Sequence, residues 1–221
     1  MGRTDTKVLI AEKFISAVEQ ASLGKVRVAD LISALGINRN TFYYHFANKY
    51  DVAMWILRHD LARELRNSLP ERRLVCCPLG DEDDEDLPYF VHYEIGAHML
   101  DGSLFFKSLA RCVLSKPVFY RKLFNAYEVE FLKAVDRLWQ PAFRTDIEFI
   151  LGKRYIPEAT KRFLTHSATQ TMIAMTSYLL EHPADASVLL DNASNPFWNI
   201  VHETLHRAIQ EHPINRASSQ G

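Results

Sequence analysis

Val26-Arg27-Val28-Ala29-Asp30-Leu31-Ile32-Ser33-Ala34-Leu35-Gly36-Ile37-Asn38-Arg39-Asn40-Thr41-Phe42-Tyr43-Tyr44-His45-Phe46-Ala47-Asn48-Lys49-Tyr50 is the stretch whose reading decides the fold. Val28, Leu31, Ile32 and Leu35 recur at helical spacing and mark a short amphipathic helix. Gly36 is placed to terminate it, and Asn38 to cap a following helix that runs to about Phe46. At about 100° per residue, Phe42 and Phe46 fall on one side, where they pack on Leu31, Leu35 and Ile37. The opposite side centres on Asn40 and Tyr44, with Thr41 and Tyr43 flanking it and Arg39 and His45 at its edges. No acidic residue lies between Asp30 and Asp51. Two helices meeting at a glycine, the second with an outer face of hydrogen-bonding and cationic groups, are a helix-turn-helix suited to a DNA major groove.

Upstream, Val8, Leu9, Ala11, Phe14, Ile15, Val18 and Ala21 predict a first helix over Thr6 to Ala21. Downstream, Asn48 caps a long fourth helix from Lys49 or Tyr50 to about Ser68, which Pro70 stops. A lysine in the first turn opposes the helix dipole, at a cost of up to roughly 1 kcal/mol. A DNA phosphate at that terminus would reverse the sign; an exposed lysine offset by Asp51 is the plainer alternative.

Past Pro88 the pattern reads as helical. Tyr89 to Leu100 and Ser103 to Val113 are expected as two short helices, and a longer one follows Pro117, carrying Phe119, Leu123, Tyr127, Phe131, Ala134 and Leu138 on one side. Pro141 to Ile156 has no clear pattern. Pro157 opens a helix to about Leu180 and Pro196 a last one to His212. The fold class is therefore all-α. A helix-turn-helix domain over 1–48 and a connecting helix over 49–69 precede a helical effector-binding and dimerisation domain over 70–212 and a polar tail over 213–221.

Of 221 residues 48% are hydrophobic and 24% charged, as in an ordinary globular protein with enough apolar residues for a proper core. Through Ser68 ten Lys and Arg face seven Asp and Glu; the remainder carries sixteen against twenty, with a run of six acids over 81–86 expected as a solvated loop. A basic head on an acidic body presents one end to a polyanion. Cys76, Cys77 and Cys112 are odd in number and lack metal or redox spacing, so they read as structural thiols of a reducing cytoplasm. The start of the chain has no targeting pattern, and the longest uncharged run is too polar for a lipid-facing span. No nucleophile elbow, P-loop, dinucleotide fingerprint or zinc motif occurs, so no enzyme activity, cofactor or metal is expected.

The combination Leu31-Ile32-Ser33-Ala34-Leu35-Gly36-Ile37-Asn38, then Thr41-Phe42-Tyr43-Tyr44-His45-Phe46 and Asn48-Lys49, resembles the DNA-binding head of the TetR family of transcriptional regulators over roughly residues 7 to 60. The resemblance implies a homodimer of all-helical subunits on a palindromic double-stranded operator. In such a dimer the head grips half an operator, and a divergent body binds a small-molecule effector and forms the dimer interface. By that match Tyr43 and Lys49 hold phosphates while Arg39, Asn40, Thr41 and Tyr44 reach bases; Asn38 and His45 complete the recognition helix. Arg27 departs from the pattern, standing where the family often has a capping Thr; it reads equally as a phosphate contact or a solvated side chain. The form Phe42-Tyr43-Tyr44-His45-Phe46 before Asn48-Lys49-Tyr50-Asp51 also resembles a subgroup with an activator of dihydroxyacetone kinase genes, which leaves the sign of regulation open, with repression expected.

Between Arg162 and Glu181 the helix opened by Pro157 carries no Asp, Glu, Lys or Arg, so it must be covered on all sides. One face meets its own core and the other a twofold mate, with the segment 196–212 alongside; a core helix of a monomer is the alternative. Candidate effector contacts are His92, His98, Phe105, Tyr127, Phe131, His166, Gln170 and Met172, with Tyr93 and Phe106 near them. Glu94 and His98 share a helical spacing but lack a third metal ligand. Three functions follow in order: an effector-released repressor, a helical coregulator or activator with a degenerate head, and a small helical enzyme.

Overall fold

A computed structural model describes residues 3–76, 87–191 and 196–211. Within these, ten α-helices carry the fold: α1 Arg3–Gln20, α2 Val28–Leu35, α3 Arg39–His45, α4 Lys49–Ser68, α5 Ser103–Leu114, α6 Pro117–Leu123, α7 Val129–Leu151, α8 Glu158–Glu181, α9 Pro183–Asp191 and α10 Ile200–Glu211. Four short strands, β1 Leu74–Cys76, β2 Pro88–Val91, β3 Glu94–Gly96 and β4 Met99–Leu100, form two antiparallel pairs. The all-α reading holds, with this small β insert. Cys77, the acidic run over 81–86 and the tail over 213–221 lie outside the described residues.

Helices α1 to α3 pack as a head around Ile10, Phe14, Val18, Leu31, Phe42 and Phe46, all buried. The chain leaves through α4, whose buried side runs from Val52 to Leu65 without interruption. Its first turns therefore belong to the head and its last to the body, where α4 meets α5, α7 and β2. Helices α7 and α8 form the largest contact of the body, and α10 packs on both.

The structure corrects the reading of Tyr89 to Leu100, which is strand and hairpin, not helix. Tyr89, Phe90 and Val91 are aromatic and β-branched, and all are buried. The Phe90 ring lies tilted against that of Phe105, centroids 4.4 Å apart, and the Tyr89 carbonyl accepts a hydrogen bond from Trp139 Nε1 at 2.8 Å. Val91, Ile95 and Met99 recur every four residues, as on a helix, but Pro88 and Gly96 are breakers. The helix expected after Pro117 is divided: Asn125 Oδ1 accepts the Tyr127 N–H at 3.0 Å, an Asx turn that separates α6 from α7. In contrast α7 runs straight through Pro141, because Leu138, Trp139, Ala142, Phe143, Ile147 and Ile150 all bury on its inner face. Helix α9 was not anticipated, and a short 3-10 turn over Pro196–Asn199 precedes α10.

Helix α8 buries three threonines, and each hydroxyl is satisfied by the carbonyl one turn back: Thr165 on Lys161, Thr169 on Thr165 and Thr176 on Met172, at 2.8–3.0 Å. That is how so polar a helix enters a core. No helix among the described residues is long and apolar enough to cross a membrane.

Candidate nucleic-acid interface

Arg27 occupies the N-cap position of α2 without capping it; its Nε pairs instead with Asp30 Oδ2 at 3.0 Å, both side chains exposed. Gly36, at φ +62°, closes α2 with its N–H on the carbonyls of Ile32 and Ser33. At that φ a β-carbon is strained, which is why glycine stands there. Asn38 Oδ1 accepts from the Thr41 N–H at 2.7 Å and from the Thr41 hydroxyl at 3.0 Å. The cap thus engages the Thr41 hydroxyl, leaving Arg39, Asn40, Tyr43 and Tyr44 as the exposed face of α3. Tyr43 and Tyr44 are 45% and 67% exposed, and the Arg39 guanidinium lies 5.4 Å from the Tyr43 ring. Phe42 and Phe46 are buried on the other side, and His45, half-buried, stacks edge-on with Tyr44.

Lys49 is placed differently from a free phosphate ligand. Asn48 caps α4 through the N–H groups of Tyr50 and Asp51, and the Lys49 ammonium reaches the turn between α1 and α2, donating to the carbonyls of Leu23, Gly24 and Val26 at 2.8, 3.0 and 3.2 Å. These acceptors offset the unfavourable dipole at its own helix. The body grips the same turn: Glu128 Oε1 accepts the Gly24 N–H at 2.9 Å, and Lys122 Nζ donates to the Glu19 and Ala21 carbonyls at 2.6 and 3.1 Å.

The eight candidate effector residues do not surround one cavity. Phe105, Phe131 and Met172 are fully buried core. Tyr127 is 91% exposed, and His166 and Gln170 lie exposed around Asp136, at 3.5 and 3.1 Å. His98 sits in the hairpin at φ +60° with Nδ1 2.9 Å from the Phe149 carbonyl. His92 joins a relay absent from the sequence reading: Asp146, 1% exposed, holds His92 Nδ1 at 2.7 Å and His202 Nε2 at 2.6 Å. Glu94 lies 3.5 Å from the outer His92 nitrogen. Among the described residues no group of side chains is arranged to hold a metal ion.

The hydrogen bond to Asp146, followed by the charges of Asp146 and Glu94, raises the His92 pKa above its ordinary 6.5 against the opposing effect of burial. A folded value above the unfolded one stabilises fully below 6.5, and that contribution is lost as pH rises through the raised value. Thermal melts across this window should show stability falling with pH, and His92→Gln should flatten that segment of the profile.

No protein-family profile matches the chain, and no curated protein is significantly similar to it. A solved structure similar to it is that of the dihydroxyacetone kinase operon activator DhaS. The two share 16% identity with a TM-score of 0.43, over 93% of this chain and 97% of that one. At that level the likeness transfers neither a family nor an activity.

Proposed function

We propose that this protein is a sequence-specific DNA-binding transcriptional regulator of TetR-like design, acting in the cytoplasm as a homodimer, a repressor released by a small-molecule effector. The observation that carries the reading is α3: a capped helix set on the Gly36 turn, its apolar side locked into the head by Phe42 and Phe46, with Arg39, Asn40, Tyr43 and Tyr44 left facing outward. Those groups match what the major groove presents. Dimerisation is supported by α8. Its outward strip of Phe163, Gln170, Thr171, Ala174 and Tyr178 is uncharged, with Phe163 68% and Tyr178 48% exposed. An exposed uncharged strip that carries aromatic rings is what an isologous interface covers.

A gel shift on DNA flanking the gene, at two salt concentrations, tests the reading, with sedimentation for the mass. Salt-sensitive binding by a dimer is expected. Asn40→Ala should cost about 1–3 kcal/mol on the preferred site and relax the preference at one base, whereas Tyr43→Phe should weaken all sequences alike. Absence of salt-sensitive binding to any flanking site would leave the coregulator as the surviving function.

A further inference from the structure

The hairpin of β3 and β4 stands against α10 and the turn before it, and between them lies a cleft of about 290 Å³, at the small end of ligand sites, which run from roughly 300 to 1,000 Å³. Ile95, Met99 and Leu100 form the hairpin wall, which is aliphatic and carries no aromatic ring. Ile95 and Met99 are 50% and 43% exposed. His202 and Asn199 line the base, and both are engaged elsewhere: His202 Nε2 meets Asp146, and Asn199 Oδ1 accepts the Gly102 N–H at 2.8 Å. They shape the cleft and are not counted among its binding groups.

The rest of the lining comes from one stripe of α10. Arg207 stands one turn after Glu203, with His206 beside it, at spacings of i, i+3 and i+4. An acid four residues before a base is the arrangement that favours an ion pair on a helix, worth about 0.2–0.5 kcal/mol. Here the pair is not made: among the described residues none of these three side chains carries a hydrogen bond or an ion pair. One carboxylate, one guanidinium and one imidazole therefore line the cleft with their bonding capacity unused, opposite an aliphatic wall.

These groups select a ligand class. Opposite charges on positions whose β-carbons lie about 5–6 Å apart suit a molecule that carries an ammonium and a carboxylate on one carbon, the guanidinium fork taking the carboxylate and Glu203 the ammonium. The hairpin wall suits a branched aliphatic side chain, which would cover the apolar surface that Ile95 and Met99 expose. We propose that this cleft binds a free aliphatic α-amino acid, its carboxylate on Arg207, its ammonium on Glu203 and its side chain against Ile95, Met99 and Leu100, with His206 as a further polar contact. The site does not depend on the proposed DNA-binding function.

Leucine is the probe, titrated calorimetrically into the full chain beside isocaproate, which lacks the ammonium, isoamylamine, which lacks the carboxylate, and glycine, which lacks the side chain. Saturable binding of leucine is expected, with each of the other three weaker by about tenfold or more. Glu203 and Arg207 are exposed, so Glu203→Gln and Arg207→Gln should leave circular dichroism and melting unchanged. Each should weaken leucine by about tenfold, and the pattern is crossed: Glu203→Gln should not weaken isocaproate, nor Arg207→Gln isoamylamine. No saturable binding of leucine up to about 10 mM would overturn the site, as would leucine binding that survives both substitutions. Isocaproate or isoamylamine binding as tightly as leucine would overturn the zwitterion, and glycine binding as tightly would overturn the role of the hairpin wall.

Discussion

Asp60→Ala is expected to lower the stability of the protein by about 3 kcal/mol, read as a shift of the urea midpoint. The Asp60 carboxylate is buried on α4 and gathers three donors: the Tyr120 hydroxyl at 2.6 Å, Arg63 Nη2 at 2.7 Å and the ammonium of Lys116, with which it is ion-paired. Removing it affects them unequally. Arg63 is largely exposed and Lys116 partly so, and both can turn to water. Tyr120 is fully buried, and burial together with the neighbouring Cys112 and Asp60 pushes its pKa up, so its proton stays in place with its carboxylate acceptor gone. A stranded buried hydroxyl costs about 1–3 kcal/mol, and the lost charge-assisted bonds add to it. Asp60→Asn keeps an acceptor for Tyr120 and should cost less. Lys116→Met combined with Asp60→Ala should be less than additive, which a double-mutant cycle measures.

Asp146→Ala is expected to be as damaging, about 3 kcal/mol, or a melting point lower by about 6–12 °C. Here the stranded partner is His202 Nε2, 2% exposed, whose ring is wedged between α7 and Gly102; a β-carbon on Gly102 would fall 2.2 Å from His202 Nδ1. The imidazole therefore cannot swing out to find another acceptor. Asp146→Asn should lose less stability and, by removing the carboxylate that does most to raise the His92 pKa, should also reduce the fall of stability with rising pH. If Asp146→Ala melts like the unaltered protein, the relay contributes nothing to holding α10 against α7.

The head was legible because its boundaries are written in residues that act locally. Asn38 and Asn48 cap through their own side chains to N–H groups two or three positions on, and Gly36 supplies its backbone conformation by itself. The buried pair Phe42 and Phe46 needed only helical arithmetic. What stayed hidden depends on distant segments. Asp146 meets His92 and His202 from 54 and 56 positions away, so neither spacing nor composition announces the relay. The acceptors of Lys49 are backbone carbonyls, which every residue type carries, so nothing in the sequence distinguishes that lysine from one awaiting a phosphate. The strand from Pro88 was misread because a strand buried on both faces lacks alternation, and period alone cannot separate it from helix.

The grip of Lys122 and Glu128 on the turn between α1 and α2 has a kinematic consequence. Joined by α4 alone, head and body would behave as two weights on a shaft, free to twist about its axis as well as to bend. A second attachment away from that shaft would act as the pin of a hinge, resisting twist and passing a shift of α6 to the head as a rotation. Two such heads, paired across a twofold axis, would then open and close along one coordinate, their spacing.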